Sequence, residues 1–132
     1  MIGRRAAMAS GFAVVATGLP RARAALANTV KIGNTMPYSG PASTYGVIGR
    51  TESAFFKMVN EQGGVDGHMI DFISYDDGYS PPKTVEQVRR LVEEDQVDFC
   101  FQNLGTPCNS AIAEYLNHKK IPHLFVGSGE CV

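Results

Sequence analysis

The chain has 132 residues, enough for one modest core. Its 12 lysines and arginines stand against 13 aspartates and glutamates, so it lacks the basic excess of a nucleic-acid binder. Its three cysteines, Cys100, Cys108 and Cys131, cannot all pair within one chain, and none forms the C-x-x-C spacing of a zinc or redox site.

The first residues read as an export signal. Arg4 and Arg5 open with positive charge, residues 6–19 form an apolar stretch, and Ala25-Leu26-Ala27 supplies small side chains before Asn28. The apolar stretch is well short of the roughly 20 residues of a membrane span and is softened by Ser10, Gly11 and Gly18. Paired arginines match only part of the twin-arginine pattern. No cysteine precedes Cys100, so no thiol near the cut could carry a lipid. The expectation is a signal peptide over residues 1–27, a soluble periplasmic product, and one partial domain over residues 28–132. Removing the signal takes away Arg4, Arg5, Arg21 and Arg23 and no acid, which leaves 8 basic and 13 acidic residues, a balance of −5. Such a balance argues against nucleic acid or an anionic membrane surface as partner.

Strands and helices then alternate. Residues 30–36 predict a strand with Val30 and Ile32 on one face, ended by Pro37 and the Ser39-Gly40-Pro41 turn. Residues 45–62 predict a helix whose apolar stripe of Val47, Ala54, Phe55, Met58 and Val59 has mostly helical spacing, stopped by Gly63-Gly64. A second strand over 69–75 closes at Asp76-Asp77-Gly78, and Pro81 or Pro82 suits the first turn of a second helix facing the sheet through Val85, Val88, Leu91 and Val92. Residues 97–101 form a short apolar strand, as in a sheet covered on both faces, with Cys100 reading as a small buried hydrophobe. A third helix is expected from Asn109 or Ser110, either of which can cap it, with Ile112, Tyr115 and Leu116 inward. Residues 121–126 make a fourth strand.

This βαβαβαβ order implies an α/β fold with a doubly wound parallel sheet, because each helix is a right-handed crossover. Ligands of such folds sit at the carboxyl ends of the strands, where strand order reverses. The loops to inspect are therefore 37–45, 76–81, 103–109 and 127 onward, all rich in Gly, Pro, Ser and Thr.

These loops carry a resemblance. Ser39-Gly40-Pro41-Ala42-Ser43-Thr44-Tyr45-Gly46, Asn60-Glu61-Gln62-Gly63-Gly64-Val65-Asp66-Gly67, Asp76-Asp77-Gly78-Tyr79-Ser80-Pro81, Leu104-Gly105-Thr106-Pro107-Cys108-Asn109 and Lys120-Ile121-Pro122-His123-Leu124-Phe125-Val126 follow one another in register. The series resembles the leucine/isoleucine/valine-type periplasmic binding proteins, the soluble receptors of ABC importers, whose two α/β lobes close on a small ligand. The resemblance implies that this chain is the first part of lobe one, without the hinge or second lobe, and that alone it does not work as a receptor. It implies an ABC permease as partner and a hydrophobic amino acid or aromatic carboxylate as ligand.

It also implies site residues. Thr106 matches a hydroxyl position that grips the ligand's charged end, next to helix N–H groups that favour an anion. Gly129 and Cys131 fall at further contact positions; here the chain departs from the family pattern, since Glu130 would repel a carboxylate and a thiol donates weakly. Tyr45 holds the place of an aromatic over the ligand, and could equally anchor its helix. Asp76 and Asp77 look like an acid–base or metal pair but suit a turn whose N–H groups they accept. His68, His118 and His123 stand singly, as surface or turn residues.

No phosphate-binding loop, nucleophile elbow or clustered metal ligands occur, so the chain is not expected to be an enzyme and no cofactor or metal is called for. A ligand-sensing domain or amide-type regulator shares the fold and remains the alternative. For the signal, cleavage is expected before Asn28 or, as the other plausible cut, after Ala24. Mass spectrometry of the exported product decides, and an intact Met1 on periplasmic material would refute processing.

Overall fold

The computed structural model describes residues 29–129; the expected signal and its cleavage sites, together with Glu130 and Cys131, lie outside them. Four parallel strands, β1 (Thr29–Met36), β2 (Met69–Asp76), β3 (Phe99–Phe101) and β4 (His123–Leu124), form one sheet in the order β2-β1-β3-β4. Helices α1 (Gly46–Glu61), α2 (Pro81–Glu93) and α3 (Thr106–Lys119) make the crossovers. The doubly wound parallel sheet expected from the alternation is what forms.

Side-chain alternation along the strands assigns the two faces. Ile73, Tyr75 and Cys100 meet Val88 and Leu91 of α2 and Ile112 and Leu116 of α3, which together form the core. Phe72 and Phe101, one residue out of step, meet Phe56 of α1 instead. The spacing read inward for α2 and α3 is thus the spacing that packs, and Cys100 is fully buried, its thiol pushed up to about 12 by desolvation.

Most of the apolar stripe of α1 faces out: Val47, Ala54, Phe55 and Met58 are exposed, because α1 lies over β1 and β2 and, among the described residues, nothing flanks it over β3 and β4. Three expectations are corrected. The strands expected over 97–101 and 121–126 contract to three and two residues, since each pairs over only two positions of its neighbour. Helix α3 starts at Thr106 rather than near Asn109; Gly105 is its N-cap, and Asn109 is buried in the first turn, donating to the Asn103 carbonyl at 2.9 Å. His123 is a half-buried strand residue rather than a surface one, and desolvation lowers its pKa.

The central strand is fixed by a buried amide. Asn34 Nδ2 donates to the Phe101 carbonyl at 2.8 Å and the Gln102 carbonyl at 3.2 Å, and its Oδ1 accepts from Ser74 Oγ at 2.7 Å. Ser74 is in turn 2.6 Å from the Tyr38 hydroxyl, which tucks beneath α1 where a Cβ at Gly49 would collide with it. Asn34→Ala is expected to cost about 2 kcal/mol or more in urea unfolding, because buried carbonyls lose their donors. A loss below about 0.5 kcal/mol would show that the amide does not hold the strands.

A cleft where four loops meet

Sheet order reverses between β1 and β3, so the loops leaving their carboxyl ends diverge and open a crevice. Ala42 and Tyr45 enter it from the β1–α1 loop, Tyr79 from the β2–α2 loop, Leu104, Gly105 and Thr106 from the β3–α3 loop, and Gly127 and Gly129 from the segment after β4. They enclose about 270 Å3.

The first two loops are latched by one carboxylate. Asp76 Oδ1 accepts from the amides of Tyr38 (2.9 Å), Ser39 (3.0 Å) and Gly78 (3.0 Å), while Oδ2 accepts from Ser39 Oγ (2.6 Å) and Lys83 Nζ (3.1 Å). Partial burial by itself would raise its pKa, but the bonds from Ser39, Lys83 and the backbone outweigh that and hold it well below the usual carboxylate range. Asp77 is fully buried and accepts from the Tyr79 amide at 2.9 Å and Thr84 Oγ1 at 3.0 Å. The pair is turn scaffolding. Among the described residues no group of three or more His, Cys, Asp or Glu could hold a metal ion.

Tyr79 was legible only as part of a turn. Its φ of 60° swings the ring toward Gly105, where an added Cβ would stand 2.6 Å from Cε2. Gly105, at φ 106°, is thus confined to glycine both by its backbone and by the ring beside it. Tyr45, 56% exposed, lines the same crevice.

The last two loops are stitched together by backbone. The Gly105 amide donates to the Gly127 carbonyl at 2.8 Å and the Gly127 amide to the Asn103 carbonyl at 3.0 Å. This brings Ser128 Oγ within 2.9 Å of Thr106 Oγ1 at the start of α3, an end that no side chain caps. Of the four residues singled out from sequence, Tyr45, Thr106 and Gly129 line one cleft, while Cys131 lies outside the described residues. Ser128 and Tyr79 were missed individually, although both fall in loops that composition had marked.

The fold is an open α/β lobe whose switch point brings the Thr106 and Ser128 hydroxyls, an uncapped helix start and the rings of Tyr45 and Tyr79 to one cleft. The chain belongs to the periplasmic binding protein family, whose model matches residues 29–130. It is 31% identical over 86 residues to the leucine-, isoleucine-, valine-, threonine- and alanine-binding protein of Pseudomonas aeruginosa, a match that covers 64% of this chain and 22% of that protein. A possible leucine/isoleucine/valine-binding protein from Rhodopirellula baltica superposes with a TM-score of 0.68 at 28% identity, covering 77% of this chain and 28% of the other. A solute-binding protein of an ABC transporter from Rhodopseudomonas palustris, solved with 3,4-dihydroxybenzoic acid, gives 0.64 at 25% identity, covering 72% and 26%. The chain therefore spans between a fifth and a third of the length of these relatives.

The Asp76 latch sets an acid limit. Because its pKa lies below the usual 3.8 in the fold, its stabilisation is complete above that value and is lost as pH falls through the folded pKa. Asp76→Asn is expected to lower stability at pH 7 by about 1 to 2 kcal/mol, the lower part of the range for bonds to a charge because the side chain is one-third exposed. Acid unfolding followed by circular dichroism should then show a shallower pH dependence in the variant; an unchanged acid profile would remove Asp76 from the account.

Proposed function

We propose that residues 28–132 form part of the first lobe of a two-lobed periplasmic receptor, delivered by the signal over residues 1–27, that hands a hydrophobic amino acid or aromatic carboxylate to an ABC permease. The observation that carries this reading is the convergence of four loops on one cleft, with the paired hydroxyls of Thr106 and Ser128 at the uncapped start of α3. Helix amides and hydroxyls suit a carboxylate, and the rings of Tyr45 and Tyr79 suit an apolar body beside it. Membership of the family supports the receptor reading. The names of the relatives, which include binders of branched-chain amino acids and of a dihydroxybenzoate, support the ligand class.

In this reading Thr106 donates to the ligand's charged end, Gly129 leaves its loop backbone open to approach, and Cys131, two residues further along the sequence, falls at another contact position. Tyr45 covers the ligand from the first loop. Affinity comes from closing a second lobe over the first, since a carboxylate held on one side only still trades its bonds with water.

Two measurements test this. In the two-lobed form, Thr106→Ala is expected to weaken binding by about 1.5 to 3 kcal/mol in calorimetry, the range for a hydrogen bond to a charged group; unchanged affinity would take Thr106 out of the site. The 132-residue chain alone is expected to show no thermal shift with leucine, valine or benzoate at micromolar concentration. A sharp transition raised by several degrees would show that one lobe suffices.

A further inference from the structure

The dipeptide Asp-Gly occurs twice in the chain, at Asp66-Gly67 and at Asp77-Gly78. In this pair a carboxyl carbon and the following backbone nitrogen approach with little hindrance, because glycine carries no Cβ and leaves the backbone wide freedom to turn. The fold treats the two copies differently. Asp77 is fully buried, and its carboxylate accepts from the Tyr79 amide and from Thr84 Oγ1. The nitrogen that would have to attack it, that of Gly78, donates to Asp76 Oδ1 at 3.0 Å. Both reaction partners are engaged.

At the first copy neither is. Asp66 and Gly67 are exposed at the tip of a hairpin between α1 and β2, where Val65 and His68 exchange backbone bonds of 2.9 and 2.8 Å. Their φ values of 50° and 80° are both positive, as a type I′ turn requires. Among the described residues neither the Asp66 carboxylate nor the Gly67 amide has a hydrogen-bond partner, and a Cβ added at Gly67 would meet nothing within 4 Å. Behind the tip the frame is held, since Asn60 at the end of α1 exchanges bonds of 2.7 and 2.8 Å with the Ile70 backbone. The tip can therefore open locally while the sheet stays closed.

We propose that Asp66-Gly67 is a site of spontaneous backbone modification, at which Asp66 isomerises to isoaspartate. The Gly67 nitrogen attacks Cγ of the protonated Asp66 carboxyl. The N–Cγ bond forms, the Cγ–OH bond breaks, and the hydroxyl leaves with the nitrogen's proton as water, which gives a five-membered succinimide. Water then attacks one of the two ring carbonyls. At Cγ it breaks the new bond and restores aspartate; at the main-chain carbonyl it breaks the original peptide bond, so the chain runs on through Cβ and Cγ and the main-chain carboxyl becomes the side group. No oxidant, reductant or cofactor is consumed. The product carries one extra methylene in a two-residue loop whose length sets the pairing of Val65 with His68. That pairing leads straight into β2, the edge strand of the sheet.

The test holds the 132-residue chain near neutral pH in heavy-oxygen water, with and without urea, and then digests it in ordinary water for peptide mapping by mass spectrometry. Every residue that has passed through a succinimide takes up heavy oxygen, and the isoaspartyl peptide elutes apart from its aspartyl twin. Without urea, residue 66 is expected to carry at least about ten times the label of residue 77, because Asp77 reacts only when its buried turn opens. In urea the two sites should agree within about threefold, since the dipeptide is the same and the fold no longer distinguishes them. Asp66→Glu keeps the charge and should abolish the signal, because a six-membered ring closes far more slowly. No label at residue 66, equal labelling of the two sites without urea, or a residue 77 that stays unlabelled in urea would overturn the proposal. So would label in the hairpin peptide that survives Asp66→Glu. The comparison of the two sites on the unaltered chain stands whatever that variant does to the fold.

Discussion

Where the ladder between β1 and β3 runs out, a buried carboxamide takes over. Register pairing of these strands ends at Gly33 and Cys100, and beyond it Asn34 reaches across to the carbonyls of Phe101 and Gln102. Two parallel strands can then diverge without leaving carbonyls unpaired in the interior, where each orphan would be expensive. The crevice at the switch point depends on this, because loops can separate there only if the strands beneath them stay joined. Ser74 passes the same constraint to β2 and, through Tyr38, to the first loop.

Around that fixed point the loops are held by different means. Asp76 collects five donors, four from two loops and one from Lys83 of α2, and so ties two connections into one wall. The other wall is backbone to backbone, Gly105 with Gly127 and Gly127 with Asn103. At Gly105 a φ of 106° favours glycine, and an added Cβ would meet the Tyr79 ring. The cleft they bound is lined by the Thr106 hydroxyl, bonded to Ser128, and by the rings of Tyr45 and Tyr79.

The two faces of the sheet are unequal. On one, α2 and α3 close over Cys100 and its neighbours to form a dry core. On the other, α1 covers two strands and leaves phenylalanines and an unpartnered glutamate along its flank. The same helix spacing thus has opposite outcomes: Val88 and Leu91 are fully buried, whereas Val47 and Phe55 remain more than half exposed.

Much of this architecture was legible in the sequence. The alternation of apolar runs and turn residues determined the order and type of every main element, since a period of two or of 3.6 is a local property. Parallel winding followed from crossover chirality, and the winding pointed to the four loops that line one cleft. The turn role of Asp76 and Asp77 was also legible, because short carboxylates beside Gly78 bond their own backbone. Only the tertiary structure decided which apolar stripe is buried, for burial depends on the element opposite and not on the stripe. It alone decided that α3 begins at Thr106, where the chain must turn to meet the segment after β4, and that His123 sits half-buried on a strand. It alone brought Tyr79 against Gly105 and Ser128 to Thr106, pairs 26 and 22 residues apart. Local pattern carries no information about contacts at that separation, which come into being when the sheet closes.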